Sequence, residues 1–171
     1  AGDELEMSSA EGLAEALYEM LQLVASVAFR GDEEAMSLGA IVRRARAHLG
    51  LAVDEVHFHP SIPARKLQGA MSVHASRLLP GESVAVLYDD TLLGSGADGW
   101  IITPFRLAWR NTFEGASQLK WTQLDPSRVE VVEGAVVVHG EEISMVKDEL
   151  APGVVSLLQE LATLSRMRGG G

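Results

Sequence analysis

The stretch that decides the fold runs Tyr88-Asp89-Asp90-Thr91-Leu92-Leu93-Gly94-Ser95-Gly96-Ala97-Asp98-Gly99-Trp100-Ile101-Ile102-Thr103. Turn-forming residues fill its middle and apolar residues its flanks, the pattern of two strands joined by a connection. Toward the C-terminus the short period continues. Ser83–Tyr88, Gly99–Thr103, Arg106–Asn111, Ser117–Trp121, Arg128–Val132, Ala135–His139 and Glu142–Met145 read as seven strands. Asp98-Gly99, Pro104, Glu114-Gly115, Asp125-Pro126, Glu133-Gly134 and Gly140 separate them. Glu133-Gly134 lies between two β-branched runs and predicts a tight hairpin. After Pro152 the period lengthens. Val154, Val155, Leu157, Leu158, Leu161, Ala162 and Leu164 form the stripe of an amphipathic helix, with Arg166 and Arg168 near its negative end.

Toward the N-terminus the period is helical. Leu13, Leu17, Met20, Leu21, Val24, Val27 and Ala28 recur at helical spacing behind a candidate cap, Ser8 or Ser9. A second helix is expected from Glu33 to about Leu49, stopped by Gly50, with Leu38, Ile41, Val42, Ala45 and Leu49 as its stripe. Pro60 and Pro63 bracket a turn, and a third helix is expected from Pro63 to about Leu79, ended by Pro80-Gly81. The change of period at Pro80-Gly81 divides the chain into a helical N-terminal region, 1–81, and a strand-rich region with its closing helix, 82–168.

The 171 residues suffice for one generous domain or a small domain with an extension, and 47% hydrophobic against 22% charged residues can build a core. Lys and Arg number 14 against 24 Asp and Glu, a formal charge of −10. Such a chain repels the phosphates that supply most non-specific affinity for nucleic acid and for anionic membranes, which argues against both as partners. Cys is absent, so disulfides and thiolate metal sites are excluded and a reducing, cytoplasmic setting is expected. The first residues, Ala1 to Glu6, are acidic where a signal peptide would be basic, and Leu23–Phe29 is too short to span a bilayer. The two ends suggest an excerpt of a longer protein.

Seven antiparallel strands followed by one helix is the plan of a pleckstrin-homology-like barrel plugged by its C-terminal helix. The run from Tyr88 to Asn111, with Leu119-Lys120-Trp121 after it, resembles the bacterial pleckstrin-homology-like domains: Tyr-Asp-Asp-Thr at 88–91, Gly-Ser at 94–95, Asp-Gly at 98–99, then Thr103 and the aromatic-x-Asn of Trp109 to Asn111. The resemblance covers about residues 82–168. Ala97 and Pro104 stand where the family commonly has Lys and an acidic residue. Because that family is mostly uncharacterised, the resemblance implies an α+β fold and little chemistry.

Several constellations invite a chemical reading, each beside a plainer one. Asp89, Asp90 and Asp98 around the Gly-rich loop are the residue types of a hard-cation site, although Asp side chains also cap turns. The glycines mimic a nucleotide loop, but a strand follows where a helix N-terminus would be needed. His57 and His59 alternate as ligands on one strand face can, with His48 and His74 nearby in sequence, yet lack a Cys or close carboxylate partner. Trp109 and Trp121 read as barrel wall, while Trp100, after the Asp98-Gly99 turn, is placed at a rim. Arg106 and Arg110, four apart on one strand face, are the basic concentration of the second half. No Gly-x-Ser-x-Gly elbow and no ordered Ser, His and Asp set appears.

The function expected from these residues is a non-enzymatic intracellular binding or scaffold module that recognises a protein or peptide and needs no cofactor. Its candidate binding residues are Leu92, Leu93, Trp100, Arg106 and Arg110. The connection carrying Leu92 and Leu93 is longer than the other hairpins, and Leu92 and Leu93 are apolar among turn-formers. Phosphoinositides are disfavoured, because three Asp and no basic residue occupy the connection from Asp89 to Asp98. The alternative is a metal-binding protein or metal-dependent hydrolase using Asp89, Asp90 and Asp98. Oligomeric state is left open.

Overall fold

The computed structural model describes residues 36–50, 54–74, 76, 78–91, 94–143 and 147–169. Contacts divide the chain into two compact units, Ala1–Glu34 and Ala35–Gly171. The expected first helix lies in the former, outside the described residues. Every described element belongs to the second unit.

Helix α1, Leu38–Leu49, begins where Ser37 accepts a hydrogen bond from the Ala40 amide at 3.2 Å, and it ends at Gly50 with φ +77°. The helix therefore starts later than Glu33, at the side chain that satisfies an orphan amide. Its expected stripe is its buried face: Ile41, Val42, Ala45 and Leu49 are buried and Leu38 partly so. Strand β1, Val56–Phe58, comes next, then helix α2, Ala64–His74, shorter than the expected run to Leu79. Strands β2 (Val86–Asp89), β3 (Gly99–Ile102), β4 (Arg106–Arg110) and β5 (Ser117–Lys120) continue the chain, then a 3-10 turn at Pro126–Arg128. Strands β6 (Val129–Val132), β7 (Ala135–Val138) and β8 (Glu141–Glu142) precede helix α3, Ala151–Gly169.

The architecture is α+β, with two antiparallel sheets: sheet A in the order β1-β2-β3-β4-β5 and sheet B in the order β6-β7-β8. Strands occur at all seven expected places, but β2 runs one residue past Tyr88, and β8 shares only Glu142 with the expected Glu142–Met145, of which 144 and 145 lie outside the described residues; β1 is an eighth. They divide between two sheets instead of closing into one barrel, because the chain leaves β5 through the turn at Trp121 and the 3-10 turn before β6 begins. Strand β1 comes from the N-terminal region, between the expected second and third helices: Val56 pairs with Tyr88 and Phe58 with Val86, so residues before Pro80 are built into the sheet.

Sheet A is covered on both faces. Val86, Tyr88, Trp100, Ile102, Leu107 and Trp109 share one face and join the main core with α1, sheet B and α3. Leu87, Ile101 and Ala108 share the other and pack under α2 with Ala70, Leu67 and Met71. Two covered faces explain why β2 and β3 read as unbroken apolar runs without polar alternation. Helix α3 plugs the main core: Val154, Leu157, Leu158 and Leu161 are each 0% exposed. A side chain at Gly153 would overlap the His48 carbonyl, so this glycine lets α3 approach the end of α1. Glu160 on α3 then receives Arg44 and His48 from α1, the latter at 2.7 Å. Burial alone would raise the Glu160 pKa, but these partners outweigh it and hold the carboxyl below its usual range. No described helix is long and apolar enough to cross a membrane.

Candidate functional site

Asp89 ends β2 with its side chain buried, and it organises the Gly-rich connection. Its Oδ1 accepts from the Thr91 amide at 3.0 Å, the Gly96 amide at 3.1 Å and the Thr91 hydroxyl. Its Oδ2 lies 2.7 Å from the Lys66 ammonium on α2. Burial would push this carboxyl up, yet Lys66 and the Thr91 donors hold it below its ordinary value. The connection is also clasped to α2 by contact. Side-chain carbon at Gly69 would overlap the Ser95 carbonyl, and at Gly96, with φ +73°, the Lys66 carbonyl. These glycines serve backbone approach between loop and helix.

The three aspartates do not converge. Asp98 receives Arg110 at 3.0 Å and the Thr112 hydroxyl at 3.3 Å, whereas Asp89 faces Lys66. The Asp90 amide donates to the Asp98 carbonyl at 3.1 Å. Among the described residues no group of three or more His, Asp or Glu side chains is placed to hold a metal. His48 pairs with Glu160. His57 is held below its usual pKa by burial first and by the Lys66 cation second.

The basic pair shares with Ala108 the face of β4 that looks toward α2, as its spacing predicts, but each guanidinium is matched by an acid. Arg106 is 4% exposed; its Nε donates to Glu82 at 3.0 Å and one terminal nitrogen to Gln118 at 2.8 Å. Glu82 in turn accepts from the Leu79 amide at 2.8 Å and from the Thr103 hydroxyl, closing a network around the β3–β4 turn. Trp100 lies inside, 1% exposed and stacked on Tyr88 with centroids 5.3 Å apart, and not at a rim. Burial pushes the Tyr88 hydroxyl up to about 12. Trp109 and Trp121 are core, as expected. Leu92 and Leu93 fall outside the described residues.

A different feature remains exposed. Phe113, at the tip of the β4–β5 hairpin, is 99% exposed and holds φ +69°. A bulky residue in the left-handed region is uncommon and costs roughly 1–2 kcal/mol. The turn is fixed by its flanks: the Glu114 amide donates to the Asn111 carbonyl at 3.0 Å, and the Asn111 side-chain amide donates to Glu114 at 2.9 Å. That same amide donates to the Glu142 carbonyl at 3.0 Å, tying the hairpin to β8. Glu141 is bound similarly, accepting from Ser117 at 3.0 Å and from the Trp109 indole at 3.3 Å.

Sheet B next to this junction is open to solvent. Val131 and Val132 are 42% and 43% exposed. The two-residue turn Glu133-Gly134 joins β6 to β7 with both φ values positive, the expected tight hairpin. A hollow of about 450 Å³ lies here, lined by the aliphatic Val132, Ala135 and Val137 and by Glu133, Glu142 and Asp148. Sequence reasoning passed over both features. Phe113 carried a signal, an aromatic among turn-formers, whereas the hollow depends on the register that sets Val137 opposite both Glu130 and Glu142.

Comparison with known protein families, with curated proteins and with solved structures finds no match to this chain.

Proposed function

We propose that the chain is a non-enzymatic docking module for a protein or peptide, engaging its partner where the β4–β5 hairpin meets sheet B. The observation that carries this reading is Phe113. An aromatic ring held fully in water on a strained, hydrogen-bonded turn contributes nothing to the core, and strain of this kind is commonly retained where it presents a side chain. Exposed aromatics beside aliphatic surface, rimmed by polar groups, have the composition of a binding patch. The groups otherwise suited to chemistry, Asp89, Asp98, Arg106 and Arg110, each hold an ion-pair partner.

A pleckstrin-homology-like ancestry for residues 82–168 is part of the proposal. It is supported by the antiparallel order of strands and the closing helix sunk in the core, with α1, β1 and α2 as additions. An intracellular setting fits the Cys-free composition. Pairing of Arg106 and Arg110 with acids disfavours a phosphoinositide ligand, and the separation of Asp89 from Asp98 gives the metal-dependent alternative no geometric support.

The test is selection of displayed peptides on the immobilised chain, followed by binding to the F113S variant. Enriched peptides that lose affinity for a folded F113S protein support the reading. An absence of enrichment, or peptides indifferent to F113S, sinks it.

A further inference from the structure

The hollow on sheet B carries an inference that rests on the docking reading and specifies the partner's chemistry. Its aliphatic lining is Val132, Ala135 and Val137. Three exposed carboxylates also line it: Glu133 from the β6–β7 turn, Glu142 from β8, and Asp148 from the segment that leads into α3. No ion pair or hydrogen bond joins these three carboxylates to another described residue, in contrast to the matched pairs on sheet A. Gly134 brings one of them close: a side-chain carbon there would lie 2.9 Å from Asp148 Oδ1. Like charges gathered without a cation raise the local negative potential, and a low-dielectric aliphatic lining strengthens it.

An apolar occupant would strip water from carboxylates that have no other partner, which is costly. An anionic one would be repelled by the carboxylates and by the net charge of −10. The side chains that satisfy aliphatic and acidic lining together are long cations, whose methylene stems cover aliphatic surface while the charged head stays with polar groups. Arginine fits best, because its planar fork matches carboxylates.

We propose that the hollow is a docking site for a basic peptide segment. One Arg or Lys stem lies on Val132 and Val137 with its head among Glu133, Glu142 and Asp148, while an apolar residue of the same segment reaches Phe113. Asn111 links the two features, donating both to Glu114 beside Phe113 and to the Glu142 backbone.

The probe is the set of peptides enriched by display selection on the immobilised chain, measured on the whole chain and on the near-isosteric triple variant E133Q/E142Q/D148N. The expected enrichment is in peptides that pair Arg or Lys with an apolar residue. Their affinity should fall about tenfold or more in the triple variant, and raising salt from about 0.05 to about 0.5 M should weaken wild-type binding but barely affect the variant. An unchanged denaturation midpoint would show that the variant is folded; should it fail to fold, the single changes E142Q and D148N must each weaken binding. Enriched peptides without basic residues, or binding undiminished in a folded variant, would overturn this assignment and leave the docking reading standing. No enrichment at all would overturn both. Concentration-dependent self-association abolished by the triple variant would give the hollow to a second copy, and a denaturation midpoint raised by a divalent cation and lost in the variant would give it to a metal; either overturns the peptide assignment.

Discussion

Replacing Asp89 by Asn tests whether the Gly-rich connection is a clasp built on one carboxylate. The substitution keeps shape and removes charge. In the native arrangement Oδ1 takes three donors and Oδ2 takes the Lys66 ammonium. An amide cannot serve both sides: if its oxygen meets the three donors, its NH2 group points at the ammonium, and the reverse orientation faces the amides. Hydrogen bonds to a charged acceptor contribute about 1.5–3 kcal/mol each, and removing one partner of a buried ion pair costs about 3–5 kcal/mol. Lys66, with 22% side-chain exposure, can turn partly toward water, which places the expected loss near the lower end, about 2–3 kcal/mol. For a unit of this size that is a fall in Tm of roughly 6–10 °C. Urea denaturation of wild type, D89N, K66M and the double variant would show coupling of at least about 1 kcal/mol between the two sites. A D89N change under about 0.5 kcal/mol, or additive effects, would refute the clasp.

Leu158→Ala should cost about 2–5 kcal/mol, read in the same urea assay, because the side chain is 0% exposed where α3 meets the core. Phe113→Ala should leave the midpoint within about 0.5 kcal/mol, and Phe113→Gly should be no less stable, since glycine removes the left-handed strain. Stability should also fall with acid, in ordered steps. The folded-state pKa of His57 lies below its usual 6.5, so the unfolded chain binds that proton more tightly; its contribution is complete above that value and shrinks as pH drops below it. Glu160 and Asp89 come after it with the same sign, their stabilisation present above 4.5 and 3.8 and lost as pH falls through their depressed values. His57→Gln should therefore flatten the stability profile between about pH 7 and about pH 5, and an unchanged slope would contradict the burial of that ring.

Features written in local chemistry were legible in the chain. Glu133-Gly134 and Gly140 set two-residue turns, so strands β6, β7 and β8 arise from residues that accept positive φ. The stripe of α3 was visible because its buried face is apolar from Ala151 to Ala162. Strand β1 was not, since three residues between Glu55 and His59 carry no periodicity and become a strand through pairing with β2. The division into two sheets was hidden likewise, because turn signals show where strands end and not which strands pair. Arg106 and Arg110 were found on one face, but their acids, Glu82 and Asp98, come from other elements. Trp100 comes directly after a turn and nevertheless stacks inward on Tyr88, a tertiary contact that local sequence does not encode.

The central claim is that the hairpin–sheet B junction, and not the Gly-rich connection, is the docking surface. Amide chemical-shift mapping by NMR, with a selected peptide added to the isotopically labelled chain, tests it most directly. The expected shifts concentrate at Phe113, Glu114, Val132, Gly134, Val137 and Glu142. Shifts concentrated instead between Gly94 and Trp100, with the hairpin and sheet B unmoved, would contradict it.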